Sequence, residues 1–453
     1  MEFGRSKNRF ARHFGLAVMS LAFSGCLESQ ETVELDVAAD QLTLSGSVGD
    51  GPVVSANMRL LGSDGGAIIS FVSDANAHYE VTVDVAVDQY PLKLDAVGGK
   101  NLVTMRAPDF RFESVVLSGD DTSVVNLNPF ATLITALAED LPGGLNASNV
   151  AAAESTVVSE LNSGLETFAS SGVVQTPVVD ANIAEIVKAS ETLGELIRRT
   201  TNRMNDAGFP VTADGLVSTV ASDLTDGVLD GLGGTVADPR LSAVATVIYA
   251  QVLIESMANE LHVLGVNAEG PMNSAIQQVA DSPDKLVGDL GITADMIRKA
   301  RVGLAAAYEV TADPAIRDLH AVVSGLDAGT DPAIVRFSLP SNYRYVLSSL
   351  IANIASADTT TIDTVNRVAR GDGSLAPLNR PPVISGSPPG SVETGQSYSF
   401  TPTASDPDGD ALTFSVANLP SWAGFDDATG TISGTPGNGD AGDYAGIEIT
   451  VSD

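Results

Sequence analysis

Strict alternation of apolar and polar residues marks the first readable stretch of the chain. Leu42 to Val48, Ser55 to Leu61, Ala67 to Val72, Tyr79 to Val85 and Tyr90 to Val97 each alternate with period two, as half-buried strands do. Turn clusters separate them: Gly49-Asp50-Gly51-Pro52, Ser63-Asp64-Gly65-Gly66 and Asp74-Ala75-Asn76. Short runs at this spacing predict a small antiparallel β-sandwich over 41–126. Past Asn128-Pro129 the period changes. Ile183, Ile186, Val187, Leu193, Leu196 and Ile197 share one helical face, with Asp180 placed to cap its start. Leu216, Val217, Val220, Leu224 and Val228 repeat the pattern, as do Leu241, Val244, Ala245, Ile248 and Val252. Further helices are expected near 129–141, 150–168, 294–308, 315–326 and 345–355. Each stripe is apolar on one side only, so residues 127–369 are expected to pack as an all-α bundle or array. A linker at 370–380 returns the pattern to alternation, and 381–453 reads as a second β-sandwich. The fold class is therefore multidomain, with β, α and β regions in that order.

Length and charge narrow the function. A chain of 453 residues with 44% hydrophobic residues has room for two to four domains with real cores. Asp and Glu number 57 against 24 Lys and Arg, a net charge of −33. Binding nucleic acid through phosphates needs clustered cations, and this body lacks them. Calcium, a hard cation that takes oxygen ligands, suits such a balance. Four His and one Cys are too few for a structural zinc site, and a single Cys excludes a disulfide within the chain.

The first 25 residues read as a targeting leader. Arg5, Lys7, Arg9 and Arg12 form a basic region, and Gly15 to Phe23 an apolar stretch well short of the about 20 residues a spanning helix needs. Ser24, Gly25 and Cys26 follow. Small residues before the only cysteine resemble a bacterial lipobox, although Phe23 stands where that pattern prefers Leu. The resemblance implies acylation of Cys26, anchoring by lipid and, with Leu27 rather than Asp after it, sorting to the outer membrane or cell surface. A plain secretory signal with an incidental Cys is the alternative. Residues 26–40 are polar and acidic and read as a spacer.

Gly46-x-Val48-x-Asp50-Gly51-Pro52-Val53 with Ala56, then Asp74-Ala75-Asn76-Ala77-His78-Tyr79, resembles the carboxypeptidase-regulatory-like β-sandwich family. That family usually has Gly where Ala77 stands, and the resemblance implies a rigid spacer without chemistry. His78 has no second His or Cys near it and reads as a surface residue.

The last region carries the sharpest motif. Pro381-Pro382-Val383-Ile384-Ser385-Gly386 opens it. Gly395-Gln396-Ser397-Tyr398-Ser399-Phe400, Ala404-Ser405-Asp406-Pro407-Asp408-Gly409-Asp410, Leu419-Pro420-Ser421-Trp422 and Thr431-Ile432-Ser433-Gly434-Thr435-Pro436 follow in order. This resembles the immunoglobulin-like, dystroglycan-type cadherin-like domain of bacterial surface proteins, over 381–453. Trp422 would then pack in the core with Phe400, Phe414 and Phe425. Alternate side chains of an extended chain lie ~6–7 Å apart, too far for one ion with oxygens at ~2.3–2.6 Å. Pro407 and Gly409 allow the backbone to curl and bring Asp406, Asp408 and Asp410 together. Carboxylates that close repel one another unless a cation sits among them. The spacing is not an EF-hand, because Gly409 falls at position four and Ala417 at position twelve. A solvated acidic turn is the competing reading. The resemblance adds Asp453, after the last strand, as a fourth ligand at a junction between modules, and Glu393 as a weaker one. It also implies that the sequence ends inside a longer repeat protein.

The helical half shows no HExxH, GxSxG, GxxxxGK[ST] or strand-borne GxGxxG. His262 and His320 are isolated and read as structural. Arg198-Arg199 with Arg203 is expected to end a helix and complement its dipole. Asp223, Asp226 and Asp230 are expected on a solvated face. No catalytic residues are expected. The function expected is that of a lipid-anchored surface protein with a calcium-binding module, acting in adhesion without catalysis toward a surface protein or glycan. The alternative is an accessory lipoprotein in polysaccharide uptake, although only 5% of the chain is aromatic.

Overall fold

The computed structural model of the chain describes residues 39–119, 124–165, 172, 174–280, 286–375, 381–407 and 409–453. The leader, Cys26 and Asp408 lie outside the described residues.

Strand β1 (Ala39–Ser47) comes first. After β2 (Val53–Val54), the strands β3 (Asn57–Leu61) and β4 (Ala67–Val72) follow, then β5 (His78–Ala86), β6 (Leu92–Val97), β7 (Lys100–Asn101) and β8 (Phe112–Val116). β1 pairs antiparallel with β5, Leu44 opposite Val81, and a four-stranded antiparallel sheet runs in the order β4-β3-β6-β8. Tyr79, Val81 and Val85 of β5 are buried while Glu80, Thr82 and Asp84 are exposed, as period two requires. β8 was not marked by alternation because Phe112, Ser114, Val115 and Val116 are all buried, so both of its faces are covered. The turn before Tyr79 keeps a left-handed residue, Ala77 at φ 59°, held by Asp74, whose carboxylate accepts the amides of Asn76 and His78.

Eleven α-helices fill the middle of the described chain: α1 (Pro129–Asp140), α2 (Ala147–Leu161), α3 (Ile183–Asp206), α4 (Ala213–Asp223), α5 (Pro239–Met257), α6 (Glu269–Val279), α7 (Ala294–Thr311), α8 (Pro314–Ser324), α9 (Pro332–Ser338), α10 (Tyr343–Ala355) and α11 (Thr359–Ala369). A small hairpin, β9 (His262–Val263) with β10 (Val266–Asn267), joins α5 to α6. Asn128, Asp238, Asp313 and Asp331 cap four of these helices through their side chains, each with Pro at the first turn. The cap position of α3 is Asn182 rather than Asp180. The expectation of single apolar stripes fails for α5: every residue from Leu241 to Met257 is buried, so this helix is the axis around which α3, α7, α10 and α11 pack.

One contiguous apolar core runs from Leu42 to Val365 and joins the N-terminal strands to the helices. Residues 124 and 127 run parallel beside the end of β1 and lead directly into α1, and the Thr132 hydroxyl of α1 accepts the amide of Glu113 in β8.

The last region is all β. It holds β11 (Val383–Ser385), β12 (Tyr398–Phe400), β13 (Thr403–Ser405), β14 (Thr413–Ala417), β15 (Ala423–Asp426), β16 (Thr431–Gly434) and β17 (Glu448–Ser452). β12-β16-β15 form one sheet, and β11 pairs with β13 and β14 with β17, all antiparallel. Phe414 and Ile432 are buried here, apart from the larger core. No helix of the described residues is long and apolar enough to cross a membrane.

Candidate functional site

The loop between β13 and β14 carries the aspartates that the sequence singles out. Asp406 is the first residue after β13, and its carboxylate accepts the amide of Asp410 at 3.2 Å. Its carbonyl accepts the amide of Gly409 at 3.3 Å. Gly409 sits at φ +84°, a conformation that costs glycine nothing, and the chain curls there. The antiparallel register then sets the third group. Thr413 lies opposite Ser452, so Asp453, next after β17, falls alongside the end of the aspartate loop. One carboxylate oxygen from each of Asp406, Asp410 and Asp453 lies within 4.8 Å of the others.

That spacing fits one calcium ion. Oxygens at ~2.3–2.6 Å from a common centre are at most about 4.6–5.2 Å apart. Three monodentate carboxylates supply half or less of the 6–8 ligands calcium takes, leaving places for backbone oxygen and water. Asp410 and Asp453 are exposed and Asp406 half-buried. Asp408 lies outside the described residues, and Glu393 is not among the carboxylates that converge. Glu393 instead closes a turn, its carbonyl accepting the amide of Gln396 at 3.0 Å.

Trp422 is placed otherwise than expected. Its ring neighbours are not the phenylalanines but Tyr398 and Tyr444, each edge-to-face with centroids at 6.0 Å.

In the helical half the charged residues have deeper roles than their sequence pattern shows. Arg198 and Arg199 do not end a helix, because α3 continues to Asp206. Arg198 is buried and pairs with Glu195 on its own helix, with Asp109 at 2.5 Å and with Asp50 at 3.3 Å. Arg199 reaches Glu195 at 3.1 Å, Glu255 of α5 at 2.7 Å and the carbonyl of His262 at 2.6 Å. The Asn101 amide donates to Asp50 at 2.7 Å and to Glu191 at 2.9 Å. Asp50, Glu191, Glu195 and Glu255 are all at most 3% exposed. Arg344 also reaches Glu255, at 3.6 Å, so four buried carboxylates face three guanidinium groups, and Glu191 is the one without an ion pair among the described residues. Burial, then the neighbouring Asp50 charge, drives its pKa well above the carboxylate range, and burial raises Asp50 too. Partners up to 148 residues apart in sequence carried no local signal for this cluster.

Asp223 and Asp230 are not on a solvated face either. The Asp223 carboxylate is enclosed by the Gly231-Leu232-Gly233-Gly234 loop, accepting the amides of Gly231 and Gly233 and the Ser242 hydroxyl at 2.6 Å. A Cβ on Gly233 would lie 1.9 Å from the Asp223 carbonyl oxygen, so only glycine fits. Asp230 pairs with Arg370, whereas Asp226 is left to cap a local turn at Val228. His320 is buried, donating from Nε2 to the Gly373 carbonyl and accepting the Ser324 hydroxyl at Nδ1, with burial lowering its pKa. His262 is tied by Nδ1 to the Glu260 carbonyl at 2.7 Å.

No curated protein and no solved structure matches the chain. Residues 381–453 match the model of the family described as "Putative Ig domain". The C-terminal region of this chain is therefore an immunoglobulin-like domain, carried behind a body of strands and helices.

Proposed function

We propose that this chain is a lipid-anchored, non-catalytic surface protein whose immunoglobulin-like domain binds calcium and meets a partner outside the cell. An immunoglobulin-like domain is consistent with a surface or adhesion role. The observation that carries the finer reading is the convergence of Asp406, Asp410 and Asp453 from one loop and one strand end. Cys26 would hold the acyl chains, and the acidic segment after it would space the body from the membrane. Extracellular millimolar calcium fills a site of ~10⁻⁴–10⁻³ M affinity. Titration calorimetry of the full chain with calcium chloride tests the reading. Heat that saturates near one ion per chain, and that is lost in Asp453→Asn, supports it; no heat overturns it. Labelling with radioactive palmitate in a bacterial host, lost in Cys26→Ser, tests the anchor separately.

A further inference from the structure

The immunoglobulin-like domain also holds an open groove of about 870 Å³, walled by residues of β11, β12, β16 and β17 and of the loops beside them. That volume is within the ~300–1,000 Å³ usual for ligand sites. None of the converging aspartates lines it. Its distinctive wall is aromatic. Tyr398, Trp422 and Tyr444 stand in a row with 6.0 Å between successive centroids, the chain's single Trp in the middle. Each tyrosine ring is turned about 80° from the indole, 82° and 79°, so the three form a slot rather than a flat platform. The Tyr444 hydroxyl donates to the Asp440 carbonyl at 2.9 Å, which fixes the outer ring although Tyr444 is 41% exposed. The indole N–H has no acceptor among the described residues.

The charge of the groove is one-sided. Pro388, Pro389, Pro402, Pro420 and Pro436 line it and contribute no N–H, whereas Asp440 and Asp443 contribute carboxylates. Residues 381–453 contain ten Asp and Glu and no Lys, Arg or His. An anionic ligand is repelled by such a domain. An extended peptide needs alternating donors and acceptors along a strand edge, and the edge strands that reach the groove, β11, β12 and β17, put only one or two residues each on it. A neutral sugar chain fits these features: C–H faces for the aromatic rings, hydroxyl donors for the carboxylates of Asp440 and Asp443, and hydroxyl oxygens for the hydroxyls of Ser385, Ser391 and Thr394.

We propose that this groove binds a neutral polysaccharide chain, gripped by Tyr398, Trp422 and Tyr444 and hydrogen-bonded by Asp440 and Asp443. The inference goes beyond the calcium reading and stands without it. Because Trp422 is the only Trp, its fluorescence reports on the groove directly. The full chain is titrated with cellohexaose, xylohexaose, mannohexaose and laminarihexaose, with polygalacturonate and a proline-rich peptide as controls, each in calcium and in EDTA. A saturable change in Trp emission with at least one neutral hexaose, and none with polygalacturonate, is expected. Tyr444→Ala should weaken it about tenfold or more, the loss typical of a central aromatic contact. Asp443→Ala, at an exposed position, should weaken it several-fold with the melting profile unchanged, which keeps the test valid should Tyr444→Ala misfold. No response to any of the four sugars, or a response only to the peptide or to polygalacturonate, overturns the proposal. Sugar binding that persists in EDTA while calcium gives no heat would sink the calcium reading and leave this one standing.

Discussion

Replacing Asp453 with Asn removes one of three carboxylates whose oxygens lie within 4.8 Å of one another. Two unit charges at that distance repel by about 0.9 kcal/mol in bulk water, so three pairs oppose the fold by up to ~3 kcal/mol before salt screens them. A bound calcium ion reverses that balance. At a free concentration a hundredfold above its dissociation constant it stabilises the native state by about 2.7 kcal/mol. For a domain of 73 residues, with about 4–8 °C per kcal/mol, the transition of the immunoglobulin-like domain rises by roughly 10–20 °C. Differential scanning calorimetry of the full chain in EDTA and in calcium at a hundredfold excess over the dissociation constant, about 10–100 mM for a site of ~10⁻⁴–10⁻³ M affinity, reads this shift. In Asp453→Asn the shift should vanish, while the EDTA melting point should stay level or rise slightly, because repulsion has been relieved. That pairing of signs separates an ion site from a solvated acidic turn, in which neither number moves. An equal shift with magnesium or with sodium at matched ionic strength, or no shift with calcium, would refute the reasoning.

Other expectations concern the buried charges. Glu191 has its pKa raised well above the usual 4.5, so the folded state holds a proton the unfolded chain has released. Stability should therefore fall as pH rises above about 4.5, and Glu191→Gln should flatten that fall and be at least as stable as wild type at pH 7.5, read by urea unfolding at both pH values. Arg198→Ala leaves the buried Asp50 without a cation and Glu195 with Arg199 alone, and should cost about 3–5 kcal/mol, measured the same way. Gly233→Ala pushes a methyl into the Asp223 carbonyl and should cost roughly 1–3 kcal/mol, seen as a lower melting temperature.

The periods of two and of 3.6 located most of the elements, because strands such as β5 and helices such as α7 are each half-buried and their patterns record it. α6, α9 and α11 were not read because they bury few positions, one in α9 and three in each of the other two. β8 escaped for the opposite reason, being covered on both sides. The aspartate loop was legible because Asp406, Asp410 and the curl at Gly409 are local in sequence. The contribution of Asp453 depends on the β14–β17 register and came only through resemblance. The aromatic row was not legible at all. Tyr398 and Trp422 meet only when β12 and β15 pair with β16, and Tyr444 comes from the loop between β16 and β17.

The buried Asp50–Arg198 ion pair and the Asn101 hydrogen bonds to Asp50 and Glu191 have a consequence for how this molecule can be divided. A cut near residue 126 would leave acidic side chains on both new surfaces facing solvent without their partners, and would split a single apolar interior. The N-terminal strands are thus no interchangeable cassette. Digestion of the native protein should release the immunoglobulin-like piece from an indivisible remainder, and recombination that shuffles such modules would have to carry strands and helices across together.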